Sequence, residues 1–212
     1  MKRIFYPLAV ATLLGFFAIL VNYSSDEIIE IDQSAAALLA GQKLLAGMSF
    51  IGDPWMIVTV SLILLIYLWL IRKNYRGMLF VFLAVGVGNV LNQSMKIWFE
   101  RPRPELPHGL DSFSFPSNHA MVGLLYLFTL AYFVTESSDS RAKKSAVWLV
   151  AAALAVIVAL SRVAGGEHYF SDITAGLFAG YAWFVAIAVW YEIRERLFRK
   201  KLENQKEEES LE

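Results

Sequence analysis

Residues Ala146–Val163 have the sequence AVWLVAAALAVIVALSRV, a continuous apolar run whose one charged residue, Arg162, lies near its end. The hydrocarbon core of a bilayer is about 30 Å thick, and a helix of roughly 20 apolar residues crosses it. The run therefore predicts a membrane-spanning helix.

Five more stretches of the chain have the same apolar character: Ile4–Val21, Trp55–Ile71, Met78–Ile97, Ala120–Val134 and Ile173–Tyr191. Of all residues, 57% are hydrophobic and 18% are charged, whereas about a quarter of the residues in a soluble domain are charged. We predict an all-α fold, a six-span transmembrane helix bundle that forms one membrane-embedded domain over residues 1–202. The charged stretch 203–212 lacks apolar spacing and is expected to be a disordered tail.

Two segments near the N-terminus allow more than one interpretation. Lys2 and Arg3 precede the apolar run Ile4–Val21, a pattern that is also typical of a secretory signal peptide. The run is long and no clear Ala-x-Ala cleavage site follows it, so a retained membrane anchor is favoured. Gln33–Ser49 mixes Ala, Leu and Gly with few charges and is too interrupted to span the bilayer. An interfacial helix on the outer surface fits this segment better.

Basic residues between the predicted spans indicate the orientation of the chain, because cytoplasmic loops are enriched in Lys and Arg. Four basic groups fall on one side of a six-span bundle: Lys2 and Arg3; Arg72, Lys73 and Arg76; Arg141, Lys143 and Lys144; and Arg194, Arg196, Arg199, Lys200 and Lys201. Both termini are therefore expected in the cytoplasm. The net charge of zero argues against a nucleic-acid partner.

Polar and ionisable residues collect on the opposite side of the predicted bundle. Four cations there break the charge bias: Lys96, Arg101, Arg103 and Arg162. Four more polar residues lie at span ends on the same side: Ser117, His119, His168 and Asp172. Ionisable residues within membrane helices usually mark functional sites. A cluster of cations, two histidines, a hydroxyl and a carboxylate predicts phosphate chemistry.

The third span ends in a polar face, since Asn89, Asn92 and Lys96 are three and four residues apart. Arg103 follows in the proline-rich loop Glu100–Pro104, which is stiff and can hold a planar guanidinium against phosphate oxygens. Each feature also has a plainer interpretation. The lysine can simply reach the interface, the asparagines can join helices, and the loop can be a solvated basic segment.

The fourth and sixth spans begin with candidate catalytic groups. Ser117 is a candidate N-cap; free N–H groups at a helix start bind anions, and His119 beside it can give a proton to a leaving oxygen. Asp172 lies four residues after His168, so its carboxylate can fix the imidazole tautomer and leave the other nitrogen free to attack. The alternatives are a plain cap with an interfacial histidine, and a His–Asp pair that caps the sixth span.

A metal site is not expected. The three histidines, His108, His119 and His168, form no His-x-x-x-His or Glu-x-x-His pattern, and the neighbouring cations would repel a metal ion. The absence of cysteine also excludes thiolate ligands and cysteine nucleophiles. We predict no metal and no cofactor.

Three motifs of the chain resemble those of the type 2 phosphatidic acid phosphatase family. Lys96–Pro104 is similar to K-x6-R-P, Pro116–His119 to P-S-G-H, and Ser161–Asp172 to S-R-x5-H-x3-D. Their order and spacing agree with the family, and the six predicted spans extend the resemblance over nearly the whole chain. Asn118 stands where the family usually has Gly. Because Asn tolerates positive φ well among non-glycine residues, the difference is expected to affect loop geometry rather than chemistry.

The resemblance implies a role for each residue of the cluster. His168 would attack phosphorus to form a phosphohistidine, Asp172 would orient His168, and His119 would protonate the leaving alkoxide and then activate water. Five residues would hold the phosphate oxygens: Lys96, Arg103, Ser117, Asn118 and Arg162. Positioning and charge stabilisation supply most of the catalysis of phosphoryl transfer, and the family needs no metal.

Size and layout are most similar to a bacterial group of the family that hydrolyses phosphatidylglycerophosphate to phosphatidylglycerol and phosphate. This implies a lipid phosphate substrate among membrane lipids, and an active site at the outer face of the bacterial plasma membrane. Undecaprenyl pyrophosphate, from the recycling of the cell-wall lipid carrier, and phosphatidic acid are alternative substrates, because the motifs bind only the phosphate that all three share. A non-catalytic protein that binds or transports lipid phosphates would not need the His168–Asp172 pair. A haloperoxidase-like enzyme is a further alternative, because vanadate-binding haloperoxidases have similar motifs. Those enzymes are soluble, so the six predicted spans argue against this alternative.

Gly176 and Gly180 form a G-x-x-x-G pair on the last predicted span. Such a pair lets another helix approach closely. It would either bring this span against a helix of the same chain, and so position His168 and Asp172, or join two chains. The sequence leaves both interpretations open, and with them the oligomeric state.

Overall fold

The part of the chain that the structure describes, residues 2–104 and 112–211, folds into helices and contains no strand. In this computed structural model the α-helices are α1 (Lys2–Asn22), α2 (Asp26–Leu39), α3 (Lys43–Gly47), α4 (Pro54–Ile66), α5 (Tyr75–Val81), α6 (Gly88–Phe99), α7 (Asn118–Glu136), α8 (Arg141–Ala164) and α9 (Phe170–Leu211). A 3₁₀-helical turn, Met48–Gly52, precedes α4. Two π-helical segments, Tyr67–Ile71 and Phe82–Val87, extend α4 and join α5 to α6.

Within the described residues, six helical stretches are long and apolar enough to cross a membrane, as predicted: Phe5–Asn22, Pro54–Ile71, Tyr75–Phe99, Asn118–Glu136, Arg141–Ala164 and Phe170–Gln205. Large apolar side chains are exposed on their outer surfaces, such as Leu14 on α1, Ile63 on α4 and Leu149 on α8. Exposing apolar area to water costs roughly 25 cal/mol per Å², whereas lipid tails accept it. This surface is that of a multi-pass membrane protein.

The segment between the first two spans differs from the prediction of one interfacial helix over Gln33–Ser49. Helix α2 begins earlier, at Asp26, and the hydroxyl of Ser25 accepts a hydrogen bond from a backbone N–H of its first turn. The chain then bends by 100° before α3. Gly41 lies in this bend with a φ of +78°, which residues with a side chain rarely adopt. Helix α2 packs on α8 and α9, and α3 packs on α8, so the two short helices cover one end of the bundle.

The last helix also differs from expectation. Its backbone continues to Leu211, so residues 203–211, which are expected from the sequence to be disordered, are helical. Glu, Gln, Lys and Leu are good helix formers, and extending an existing helix avoids the cost of a new nucleus. The division into a domain over residues 1–202 and a separate tail stays a prediction.

Helix α7 forms the centre of the bundle, since most of its residues are buried whereas α1 and α4 expose most of theirs. At one end of the bundle, Phe80 is fully buried among the rings of Tyr132, Phe184 and Tyr191, with ring centroids 5.1, 6.0 and 5.4 Å away. Such ring pairs contribute ~0.5–1.5 kcal/mol each beyond the burial of their area. Aromatic packing fixes this end, and the polar residues lie at the other.

Gly176 and Gly180 bring α9 against α7 of the same chain. A Cβ atom on Gly176 would lie 2.8 Å from the carbonyl oxygen of Ser117 and 2.9 Å from the Cβ of Ala120. A Cβ atom on Gly180 would lie 2.9 Å from the carbonyl oxygen of Met121. The two backbones therefore approach to a distance that only glycine allows. Contact within one chain accounts for the G-x-x-x-G pair, and it sets the start of α9 beside the start of α7.

Gly176→Ala should destabilise the bundle by about 1–3 kcal/mol, because the added methyl group must push α9 away from backbone atoms of α7 that cannot move aside. Gly123→Ala is the matched control within α7, since its Cβ would lie 3.5 Å from Val158, an ordinary contact. Apparent unfolding temperatures in detergent micelles measure both variants. Equal unfolding temperatures would contradict the tight contact at Gly176.

Candidate active site

The polar residues predicted to form a site meet at one end of the bundle. Because successive spans run in opposite directions, the ends of α6 and α8 lie there beside the starts of α7 and α9. Five of the predicted residues are buried: Lys96, Ser117, Arg162, His168 and Asp172. Burying polar and charged groups is costly unless they are paired, so their partners decide what the site can do.

His168 and Asp172 form a hydrogen-bonded pair at the start of α9. The Nδ1 atom of His168 lies 3.4 Å from Oδ2 of Asp172, which also accepts a hydrogen bond of 2.9 Å from the N–H of Tyr169. Burial lowers the pKa of His168 to about 3, against the opposing effect of the Asp172 carboxylate. The imidazole is therefore neutral near pH 7. With Nδ1 directed at the carboxylate, Nε2 is the nitrogen that can attack.

The guanidinium of Arg103 lies beside this second imidazole nitrogen. Its Nη1 is 3.1 Å from Nε2 of His168, and it donates a hydrogen bond of 2.7 Å to the carbonyl oxygen of Glu167. Arg103 also donates to the carbonyl oxygen and the hydroxyl of Ser112, at 2.7 and 2.9 Å. An arginine can only donate, so Nε2 is an acceptor here, in agreement with a proton on Nδ1. A phosphoryl group attacked by Nε2 would lie within reach of this guanidinium.

Arg101 balances the charge of Asp172 in the protein interior. Its Nη1 donates to Oδ1 of Asp172 at 2.6 Å, and its Nη2 donates to Oδ2 of Asp32 at 3.0 Å. The rings of Tyr23 and Tyr169 lie over the guanidinium, with centroids 4.9 and 4.2 Å from Cζ. All three charged side chains are buried. Arg101 is therefore a structural partner of the His–Asp pair.

Asp32 extends this network onto α2. Its two oxygens accept hydrogen bonds from the backbone N–H and the hydroxyl of Ser171, both at 2.7 Å. The sequence identifies Arg101 only as a cation that breaks the charge bias, and it gives no indication of Asp32. No local signal could have found this pair, because Asp32 and Arg101 meet only when α2 and the segment after α6 both pack against the start of α9.

Lys96 and Asn92 hold the segment that leads into α7. The ammonium group of Lys96 donates to the carbonyl oxygens of residues 113 and 114, at 2.5 and 3.4 Å. Asn92 donates to the carbonyl oxygen of Pro116 at 3.2 Å. Both side chains are buried, so the predicted polar face of this span exists, but Asn89 is exposed and does not belong to it.

Ser117 and Asn118 begin α7 with buried polar atoms. Ser117 has the extended backbone of an N-cap, but its hydroxyl makes no capping bond. Neither this hydroxyl nor Oδ1 of Asn118 has a hydrogen-bond partner among the described residues. Unpaired buried polar atoms are rare. The hydroxyl of Ser117 can donate at a helix start, where anions bind, whereas Oδ1 of Asn118 can only accept a hydrogen bond. The φ of Asn118 is not positive, so the expected tolerance of positive φ does not explain why Asn can replace Gly at this position. Asn118 is the first residue of α7 and has a helical backbone.

Arg162 completes the set of cations at the end of α8. It forms an ion pair with Glu167, while its Nε atom is buried and has no partner in the part of the chain that the structure describes. A cavity of about 440 Å³ reaches His168 from the side of α2. Within residues 2–104 and 112–211, no three His, Asp or Glu side chains lie close enough together to hold a metal ion. His108 lies outside the described residues.

His119 lies on the first turn of α7 and has a carboxylate of its own. Its Nε2 atom is 3.1 Å from Oδ1 of Asp53, the residue before α4. Asp53 is not among the predicted site residues. The two residues are 66 positions apart, so no spacing pattern connects them.

Comparison with known proteins identifies the family. The chain matches the PAP2 superfamily over residues 77–196, a stretch that contains all eight residues predicted for catalysis and phosphate binding. It is 32% identical over 186 residues to phosphatidylglycerophosphatase B of Bacillus subtilis (strain 168), covering 84% of this chain and 88% of that protein. The chain belongs to the PAP2 superfamily. The resemblance carried by the three motifs is thus confirmed.

Two solved structures share the architecture of this PAP2 protein. The first transmembrane PAP2-type phosphatidylglycerolphosphate phosphatase from B. subtilis superimposes with a TM-score of 0.78 at 26% identity, over 87% of this chain and 96% of that one. Aquifex aeolicus LpxE has the same fold at a TM-score of 0.55 and 21% identity, over 76% of this chain and 93% of that one. The predicted all-α membrane bundle is therefore confirmed, while the roles of individual site residues stay predictions.

Arg101→Met should lower the free energy of unfolding of this PAP2 protein by about 3–5 kcal/mol, because it leaves two buried carboxylates without their counter-charge. Arg72→Met is the matched control: Arg72 pairs with Glu136 at the opposite end of the bundle, with both side chains 35% exposed, and such pairs contribute ~0–1 kcal/mol. Apparent unfolding temperatures in one detergent compare the two. If Arg101→Met is as stable as Arg72→Met, the network is not needed to bury Asp172.

Proposed function

We propose that this protein is a lipid phosphatase that hydrolyses phosphatidylglycerophosphate to phosphatidylglycerol and phosphate. One observation carries the choice of substrate: the relative that aligns with 84% of this chain is named phosphatidylglycerophosphatase B. The buried polar cluster around His168 supplies groups that suit phosphoryl transfer. Undecaprenyl pyrophosphate and phosphatidic acid are the lipids against which the substrate has to be tested.

His168 is the proposed nucleophile. Its Nε2 atom attacks phosphorus, a P–N bond forms, and the P–O bond to the glycerol of the lipid breaks. The products of this step are a phosphohistidine and the alkoxide of phosphatidylglycerol. Asp172 accepts the Nδ1–H hydrogen bond and so stabilises the charge that the ring acquires. The 3.4 Å separation of these groups should shorten with substrate bound, because catalytic hydrogen bonds are often long in the free enzyme.

His119 is the proposed acid and base. In its protonated form it gives a proton to the departing alkoxide. The neutral ring then takes a proton from the water that attacks the phosphohistidine, and the P–N bond breaks to release phosphate. His168 returns to its neutral form and His119 to its protonated form. Each histidine therefore ends the cycle in the protonation state in which it began.

Cations and a helix start are the proposed phosphate ligands: Lys96, Arg103, Ser117, Asn118 and Arg162. Negative charge on the transferred group is spread over three equatorial oxygens, which fixed donors can stabilise. Arg103 is the best placed, since its Nη1 is 3.1 Å from the attacking nitrogen. Lys96 has three donors and uses two on carbonyl oxygens. It can therefore bind phosphate while still holding the segment before α7.

The proposed orientation places the site at the outer face of the plasma membrane, with both termini in the cytoplasm. The opposite end of the bundle carries the basic turns around Arg72–Arg76 and Arg141–Lys144, and such turns usually stay in the cytoplasm. Lipid phosphates of the outer leaflet would then reach the cluster from the surrounding bilayer.

Purified wild-type protein in detergent should release phosphate with a higher kcat/KM from phosphatidylglycerophosphate than from the other two lipids, at equal surface concentration. His168→Ala should reduce this rate on the order of 10³-fold or more, because no other group can replace the nucleophile. Ser94→Ala, on the exposed side of α6, is a control that should keep full activity. Wild-type rates in His168→Ala would refute the nucleophile, and a clear preference for another lipid would refute the substrate.

Topology can be read from introduced cysteines, because the chain has none of its own. A cysteine within residues 106–111, which lie outside the described residues, should react with a membrane-impermeant maleimide on intact cells. Asp139→Cys, in the exposed turn between α7 and α8, should react only after lysis. The reverse pattern of labelling would contradict the proposed orientation.

A further inference from the structure

Asp53 directs its carboxylate at His119 rather than at its own helix. Its Oδ1 lies 3.1 Å from Nε2 of His119, and its Oδ2 accepts a hydrogen bond of 3.3 Å from Nε1 of Trp55. A carboxylate just before a helix usually accepts hydrogen bonds from the first backbone N–H groups. Among the described residues, the Asp53 side chain makes no such bond. Capping therefore does not explain where this side chain lies.

The two residues before Asp53 in the chain, Ile51 and Gly52, belong to a turn that packs closely against the same imidazole. A Cβ atom on Gly52 would lie 2.8 Å from Cδ2 of His119 and 2.5 Å from Cγ1 of Val158. Tyr126 of α7 donates a hydrogen bond of 2.6 Å to the carbonyl oxygen of Ile51. The turn before α4 is thus tied to α7, and it contacts the edge of the ring that carries Cδ2 and Nε2.

We propose that Asp53 is a positioning residue for His119, which it holds by accepting the hydrogen bond of Nε2–H. This inference rests on the proposed role of His119 as acid and base. The site would then contain two His–Asp pairs of opposite sense. Asp172 holds Nδ1 of His168 and leaves Nε2 to attack phosphorus, whereas Asp53 holds Nε2 of His119 and leaves Nδ1 to carry the proton.

Asp53 would serve both half-reactions without being protonated. While His119 carries the extra proton, the carboxylate stabilises the imidazolium, and Nδ1–H is the bond that breaks when the alkoxide leaves. While His119 is neutral, the carboxylate selects the tautomer with its lone pair on Nδ1, which takes the proton from the attacking water. Asp53 is 35% exposed, so screening weakens its charge. Its main effect is on the orientation and tautomer of the ring.

Asp53→Asn tests this role, because the amide has the same size but also offers a donor to Nε2 and so favours the wrong tautomer. We expect kcat for phosphatidylglycerophosphate to fall ~10–100-fold, a part of what acid–base catalysis contributes, with KM nearly unchanged. With p-nitrophenyl phosphate the leaving oxygen needs no proton. Formation of the phosphohistidine should keep its rate while its hydrolysis slows, so a burst of p-nitrophenolate should precede the steady state.

Two further variants complete the experiment. Asp139→Asn, an exposed acid at the opposite end of the bundle, is the matched control and should behave as wild type. Asp53→Ser keeps a good capping residue before α4 but is too short to reach His119, and it should reproduce the loss in kcat. Unchanged kcat in both Asp53 variants would overturn the inference. So would an equal loss on both substrates without a burst, which is what a merely structural role produces.

His119→Ala separates this inference from the proposed function. If His119→Ala keeps wild-type turnover of phosphatidylglycerophosphate, the acid–base role itself is wrong. If His119→Ala is inactive while Asp53→Asn is unaffected, the acid–base role stands and the positioning role of Asp53 alone is wrong.

Discussion

A carboxylate with no exposed surface must have its charge compensated, and the site end of this bundle is organised around that requirement. Asp172 is 0% exposed, and removing such a charge from water costs several kcal/mol unless the interior supplies partners. Arg101 supplies the counter-charge, and the N–H of Tyr169 and the ring of His168 supply further donors. The guanidinium of Arg101 is itself buried, and its Nη2 atom donates a hydrogen bond to the carboxylate of Asp32. One charge network thus joins α2, the segment after α6 and the start of α9.

The same network sets the orientation of the His168 imidazole. Oδ1 of Asp172 is occupied by Arg101, which leaves Oδ2 for His168 and for a backbone N–H. The two bonds to Oδ1 and Oδ2 fix the plane of the carboxylate, and the carboxylate then fixes the imidazole. The carbonyl oxygen of Asp172 also accepts a hydrogen bond of 3.1 Å from the N–H of Ser117. This link is possible because glycines let α9 lie against α7, so the helix contact and the charge network hold the two motifs together.

The sequence predicts the fold well because the bilayer imposes its own pattern: spans need apolar runs of fixed length, and alternation of spans brings the three motifs to one end. It predicts less where pairing depends on tertiary contacts. Asp32 and Asp53 are acidic residues in connecting segments and resemble solvated charges, yet packing of α2 and of the turn before α4 places them against Arg101 and His119. The break at Gly41 is similarly hidden, since Ala, Leu and Gly on both sides allow either one helix or two.

The partners of the four cations divide the positive charge of the site into two parts. Arg101 faces two carboxylates, and Arg162 faces Glu167, so the charge of both is compensated within the chain. Lys96 and Arg103 instead contact only neutral groups among the partners found in the described residues: carbonyl oxygens, a hydroxyl and an imidazole. A phosphate monoester carries a charge of about −1.5 to −2 at pH 7. Because Arg101 faces two carboxylates, the side-chain charges named here leave a smaller positive excess than Lys96 and Arg103 alone would give. A bound phosphate group would therefore meet Lys96 and Arg103 as the cations that face no carboxylate among the described residues.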